Sequence, residues 1–306
     1  MLAALTRVLS PYFNAARRQL FVELQRLTEA LILGSTAISF FNDRNYRDSD
    51  LDVYVEHDKH ESLIDFLLDQ GYTYIPSHSN SNGLDTLLFP PSPTNHLRVE
   101  FDVAQYDSES VLFVFNFKKD DSGRCVQIIA TSHCPLNTIL NFHSTCVMNF
   151  ISHCYAISLY PDATFIYNVA LANFRQHGQN DTTPTDKYKR RGWKYGTRRK
   201  CGRALDHRDV VRRVGDEFCW VVDLREKIYD PHYLQCNSWT LHYTCEDHIR
   251  MDFGVIQSLL LNSSYCVAGL VRDRVPVHAN HWIDRELNDF VYSTCAELNV
   301  VPRTIV

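Results

Sequence analysis

Two stretches decide the fold: ILGSTAISFF at residues 32–41 and SDLDVYV at residues 49–55. Leu31 to Leu33 is a short apolar strand that runs into Gly34 and Ser35, and Thr36 to Phe41 reads as a short helix. Asn42 to Asp48 is polar and reads as a loop, leaving 14 residues between Ser35 and Asp50. Leu51 to Glu56 alternates in the manner of a half-buried strand. Asp50 and Asp52 are two apart, so their side chains share one face, while Leu51 and Val53 turn to the other face and into a core.

Outward from this centre, a first helix is expected from Tyr12 to Ala30, with Leu20, Phe21, Leu24, Leu27 and Leu31 as its apolar stripe. His60 to Gln70 is an amphipathic helix stopped by Gly71. Ser77 to Gly83 and Pro90 to Asn95 are loops, and Thr86 to Phe89 and Leu97 to Ala104 are strand-like. Val111 to Phe117 and Cys125 to Ala130 form a hairpin across the turn at Asp120 to Gly123. Pro135 to Phe142 reads as a helix. In the last third, Phe218 to Val222 and Trp239 to Tyr243 read as strands, and Phe253 to Leu261 and Ile283 to Cys295 as helices. The expected class is α/β: a mixed sheet with flanking helices over residues 1–155, then a smaller α+β region over 156–306.

Composition sets outer bounds. A chain of 306 residues with 45% hydrophobic and 22% charged residues is long enough to bury a sizeable core. The net charge of −5 argues against a globally cationic nucleic-acid binder, though not against a local basic patch. No export signal and no run of roughly 20 apolar residues is present, so an intracellular location, cytoplasmic or nuclear, without membrane contact is expected. None of the ten cysteines forms a C-x-x-C pair, and most should be buried thiols. His242, Cys245 and His248, with Cys236 upstream, are the sharpest thiolate-metal candidate. However, Trp239 to Thr244 alternates like a strand and paired zinc knuckles are missing.

The Gly-Ser and Asp-x-Asp pattern has chemical content. A Gly between a strand and a helix lets backbone approach a phosphate, and helix N-terminal amides and the Ser35 hydroxyl can donate to it. Two carboxylates on one strand face suit magnesium, or manganese, which takes oxygen ligands. Strand, Gly-Ser, helix, Asp-x-Asp strand resembles the nucleotidyltransferase superfamily, in particular a branch of uncharacterised fungal proteins. Val126 to Ile129, Pro135 to Cys146 and Lys189 to Trp193 resemble later segments of that branch, so the likeness spans roughly residues 12 to 195.

The resemblance implies metal-dependent transfer of a nucleoside monophosphate from a nucleoside triphosphate to a hydroxyl acceptor. Gly34 and Ser35 would hold the triphosphate, with Arg191 and Lys194 reaching it. Asp50 and Asp52 would hold Mg2+ or Mn2+. Active members carry a third acid, in a segment that here reads Phe142, His143, Ser144, Thr145, Cys146, and both acidic positions are gone. A substitute is Asp102, which with Glu100 alternates along Val99 to Val103. The alternative is a catalytically inactive module that binds nucleotide, RNA or a protein. Lys187 to Arg203, with nine basic and no acidic residues interleaved with Tyr188, Trp193 and Tyr195, is the candidate RNA contact.

Overall fold

The computed structural model describes residues 2–44, 46, 49–76, 110–121, 123–173, 183–195, 210–224, 232–243, 248–258 and 263–269. The strands are β1 (Leu31–Leu33), β2 (Leu51–Glu56), β3 (Thr73–Ile75), β4 (Val111–Lys118), β5 (Cys125–Thr131), β6 (Asn149–Ile151) and β7 (Tyr155–Ser158). Further along come β8 (Val169–Ala170), β9 (Lys194–Tyr195), β10 (Val211–Arg213), β11 (Trp220–Asp223), β12 (Ser238–Tyr243), β13 (Ile249–Ser258) and β14 (Ser263–Ala268). The helices that matter here are α1 (Leu2–Leu9), α2 (Ala15–Thr28), α3 (Gly34–Asn42), α4 (Glu61–Asp69), α5 (Pro135–Leu140) and α6 (Thr183–Arg190). Among the described residues no helix is long and apolar enough to cross a membrane, and no disulfide joins the seven described cysteines.

The protein is mixed α/β. An eight-stranded sheet runs in the order β11-β7-β6-β1-β2-β5-β4-β3, and β10-β12-β13-β14 form a second, antiparallel sheet. At the centre, β1 is antiparallel to β2 while β2 is parallel to β5. The parallel pair is buried on both faces, as parallel strands require. Leu51, Val53, Val55, Val126, Ile128 and Ala130 pack under α2 and α4, and Tyr54 and Ile129 enter the core on the other face. That second core also takes Trp239, Leu241, Met251, Phe253 and Cys266 from the second sheet, so the two sheets share one apolar interior.

The expected β1, α3, β2, α4, the β4–β5 hairpin and α5 are all present, each within two or three residues of its expected span. The first helix differs. It starts three residues late, as α2 at Ala15, because the Asn14 side chain accepts the Arg17 amide and caps it, and a separate helix that was not expected, α1, precedes Pro11. The buried face of α2 is also rotated from the expected stripe. Leu20 and Leu27 are exposed, whereas Phe21, Gln25 and Thr28 are buried. Gln25 explains the rotation, because its amide donates to the Ala30 and Ile151 carbonyls inside the core, at 3.1 Å each. Phe253 to Leu261 was expected to be helical, yet Phe253 lies inside β13. Ile249, Met251 and Phe253 are buried at a spacing of two, and pairing with β12 and β14 satisfies the backbone. The strand-like runs at 86–89 and 97–104 and the helix at 283–295 lie outside the described residues.

One ion pair pins the second sheet to the first. Arg212, 1% exposed, is gripped by Asp216 through two bonds of 2.6 and 3.0 Å and donates to the Leu159 carbonyl just after β7. Tyr160, Phe218 and Trp239 surround its guanidinium at 5.1–5.4 Å. Burial alone would raise the Asp216 carboxyl, but the Arg212 guanidinium outweighs burial and holds it below its ordinary value. Removing one partner strands the other as a buried charge. Asp216→Ala is therefore expected to cost about 3–5 kcal/mol in denaturant unfolding, and Arg212→Met clearly less, because the carboxylate it leaves is 18% exposed against 1% for the guanidinium. Equal losses in the two variants would contradict this account of the pair.

Candidate functional site

The site is built where β1 hands over to α3. In the antiparallel register Leu33 stands opposite Asp52, so the next residue, Gly34, meets the Asp52 side chain. Gly34 has φ of +65°, a conformation that L side chains rarely adopt, and a Cβ there would run into the Asp52 carboxylate. Two independent constraints thus place glycine at this position. The turn it makes starts α3 with Ser35 and Thr36 at its first positions, both nearly fully buried. Thr36 donates its hydroxyl to the Asp50 carbonyl at 3.3 Å, tying the helix start to the loop that delivers the acids.

A second element closes over this corner from far along the chain. Helix α6 and the turn after it carry Lys187, Tyr188 and Arg191. Arg191 donates to the Ser35 hydroxyl at 2.7 Å and to the Ser49 hydroxyl at 3.4 Å. Its guanidinium lies over the Tyr46 ring at 4.3 Å and the Tyr188 ring at 5.5 Å, so two aromatic faces hold the charge in place. Arg44 donates to the Arg191 carbonyl at 3.3 Å. Arg191, expected to reach the Gly34–Ser35 corner, is therefore hydrogen-bonded there. Lys194 lies three residues on, in β9, with its amide on the Asn168 carbonyl and its side chain exposed. Lys187 was noted only as the start of a basic run. Its place facing the acids depends on α6 being helical, and the polar stretch before it hid that helix.

The electrostatics are those of two acids held together beside two cations. Burial raises the Asp52 carboxyl to about 7, and the neighbouring Asp50 charge pushes the same way, against Lys187 and Arg191. Asp50 is also raised by burial, with Lys187 opposing. Lys187 in turn is lowered by burial and by Arg191, and raised by the two acids. Such a corner favours any ligand that brings positive charge to the acids and negative charge to Arg191 at once.

The sheet also fixes which residue lies beside Asp52. Parallel pairing of β2 and β5 puts Gln127 level with Asp52, and antiparallel pairing of β5 and β4 puts Asn116 level with Gln127. The three share one face, and the Gln127 amide donates to the Asn116 carbonyl oxygen at 2.8 Å. An amide thus occupies the strand position next to the acid pair. His143 is elsewhere, in the turn after α5. There its Nδ1 meets the Ser144 hydroxyl at 2.9 Å and the Tyr195 hydroxyl at 3.2 Å, and its ring lies 5.5 Å from Tyr188. Asp102 and Glu100 lie outside the described residues, as do 196–203 of the basic run. Among the described residues no three His, Cys, Asp or Glu side chains form a metal-sized cluster. His242 faces Asp252 at 3.8 Å, and Cys245 lies outside the described residues.

Two outcomes are expected from this geometry. Gly34→Ala should lose about 1–2 kcal/mol from its backbone conformation alone and displace the Asp52 carboxylate; unchanged unfolding stability would contradict it. The raised Asp52 makes ionisation destabilising, so its contribution is intact below the ordinary carboxylate range and lost as pH rises through about 7. Asp52→Asn should escape that loss. It should gain on the order of 3 kcal/mol relative to wild type between pH 4 and pH 8, as read from unfolding midpoints across that range. Parallel pH profiles would contradict the assignment.

Comparison with known protein families, characterised proteins and solved structures finds no match to this chain.

Proposed function

We propose that the chain is a nucleotidyltransferase-like protein that binds a nucleoside triphosphate with one Mg2+ or Mn2+ ion at the Gly34–Ser35 corner. The observation that carries this reading is the convergence of Ser35, Arg191, Asp50 and Asp52 on one corner. It draws on three separate segments and requires glycine at 34. The antiparallel–parallel arrangement around β2 supports it as well.

The roles follow from the donors present. Ser35 and the first amides of α3 accept no charge but donate hydrogen bonds, which suits phosphate oxygens. Arg191 supplies a planar, permanently charged partner, already oriented by Tyr46 and Tyr188. Asp50 and Asp52 are the hard oxygen ligands, and magnesium commonly takes one or two carboxylates together with ligand phosphates. A bound cation would supply charge neutralisation to the carboxylates and to the phosphates. One ion fits this donor set. A second ion needs a further oxyanion, and Gln127 offers a neutral amide that cannot take up a proton.

A neutral amide beside Asp52 favours a binding module over an efficient transferase. Transfer to a hydroxyl is the second reading. It is favoured by the two convergent acids and depends on an acid such as Asp102 joining them. Calorimetric titration with the four nucleoside triphosphates and Mg2+ or Mn2+ separates the possibilities from a non-binding protein. Arg191→Ala should weaken binding about tenfold to a hundredfold, the range of a charged hydrogen bond, and Asp52→Asn should abolish its metal dependence. Labelled-nucleotide transfer should be absent or feeble. Robust transfer by wild type, lost in Asp52→Asn, would replace the binding reading by the enzymatic one. Binding indifferent to both substitutions would overturn the site.

A further inference from the structure

Two cysteines face each other where the second sheet meets the first. Cys134 immediately precedes α5, in the segment that leaves β5, and Cys266 lies in β14, the end strand of the second sheet. They are 132 residues apart in sequence, yet their sulfurs are 3.8 Å apart. We propose that Cys134 and Cys266 are a redox modification site, a dithiol that a low-molecular-weight disulfide converts into a covalent link between β14 and the start of α5. It goes beyond the nucleotide reading and does not depend on it.

Geometry is the first argument, because both backbones are anchored at this point. The Cys134 amide donates to the Ser264 hydroxyl at 2.6 Å, and that hydroxyl donates to the Glu56 carboxylate at 2.7 Å. Ser264 and Cys266 are two apart on β14, so the strand presents both to one side. The Cys266 amide donates to the Asn237 side-chain oxygen at 2.8 Å, and the same oxygen lies 3.9 Å from the Cys134 sulfur. A disulfide holds its sulfurs about 2.0 Å apart. Closing the remaining gap of about 1.8 Å is within the swing of a cysteine side chain about its Cα–Cβ bond. Cys125 and Cys146, by contrast, have the Gly123 carbonyl and the Ser144 hydroxyl beside their sulfurs.

The chemistry is thiol–disulfide exchange, with a small disulfide such as oxidised glutathione as the oxidant. Cys134 is 8% exposed against 0% for Cys266, so it is the entry point. Its thiolate attacks one sulfur of the reagent, the reagent's S–S bond breaks, and one reagent thiol leaves. The Cys266 sulfur then attacks the Cys134 sulfur, which forms the protein disulfide and releases the second reagent thiol. The protein gives up two electrons and two protons, and the two reagent thiols carry them away. Burial holds the Cys266 thiol well above its ordinary value, and the neighbouring Cys134 thiol acts the same way. Exchange is therefore slow in the closed fold and follows the opening of β14, which among the described residues pairs with β13 alone. The link closes a loop that contains β6, β7, α6 and most of the second sheet. A loop that long takes much freedom from the unfolded chain, so oxidation stabilises the fold.

The test is incubation of the full chain with oxidised glutathione, quenching of the remaining thiols with N-ethylmaleimide, and peptide mapping by mass spectrometry without reduction. A linked pair of peptides carrying Cys134 and Cys266 is expected. The urea unfolding midpoint should rise by roughly 1 M or more and return to its starting value with dithiothreitol. Cys134→Ala and Cys266→Ala should each lose both the linked peptides and the rise, whereas Cys125→Ala should keep both. If an alanine variant does not fold, as judged by circular dichroism, the serine variant at the same position carries the same expectation, and the wild-type peptide map still decides. Wild type whose two thiols stay unmodified, stop as glutathione adducts, or pair with other cysteines overturns the proposal. So does an equal rise in the folded Cys134 or Cys266 variants. No nucleotide or metal enters the experiment, so its outcome is separate from that of the nucleotide titration.

Discussion

The rest of the site depends on one close approach, that of the Gly34 backbone to the Asp52 carboxylate across the β1–β2 pair. It exists because a three-residue strand is held antiparallel to a six-residue strand in a register that puts Leu33 opposite Asp52. A side chain at 34 would force either the acid or the helix start away. With glycine there, α3 begins within reach of the acids, and the nearly fully buried Ser35 accepts a hydrogen bond from Arg191. The apolar layers on both faces of β2 keep that register, since a slip by one residue would turn Leu51, Val53 and Val55 out of the core.

Charge organisation follows from this placement. A pair of neighbouring, partly buried acids is unfavourable by itself, and the chain answers it with Lys187 and Arg191 from a segment more than 130 residues away in sequence. The chain as a whole is net negative, yet Arg7, Arg44, Arg124, Lys187 and Arg191 all belong to the surroundings of one corner. The basic run thereby acquires a structural meaning that a solvated loop would lack, because its first residues are built into the corner. The buried Arg212–Asp216 pair serves a different purpose, joining two sheets at a place remote in character from any ligand.

Much of this was legible in the sequence because it rests on short-range rules. Period-two alternation placed Asp50 and Asp52 on one face, and the Gly-Ser turn marked the strand-to-helix corner. Other features were hidden by tertiary context. Leu20 and Leu27 looked like a core stripe, but a single glutamine, Gln25, satisfying two buried carbonyls decided which face of α2 points inward. Phe253 looked helical until neighbouring strands supplied its backbone partners. The resemblance located the third acid in the segment that reads Phe142 to Cys146, where it is missing, with Asp102 as the substitute; that the residue level with Asp52 on β5 is Gln127 follows from strand pairing that no local pattern reveals. Lys187 was missed for the same reason, since only the long-range packing of α6 brings it to the acids.

Diffraction from crystals grown with a non-hydrolysable nucleoside triphosphate and Mn2+, using anomalous scattering to find the ion, tests the Gly34–Ser35 site most directly. One manganese peak between the Asp50 and Asp52 carboxylates is predicted, with a phosphate on Ser35 and Arg191. A nucleotide bound elsewhere, or no manganese at the two acids, would contradict it.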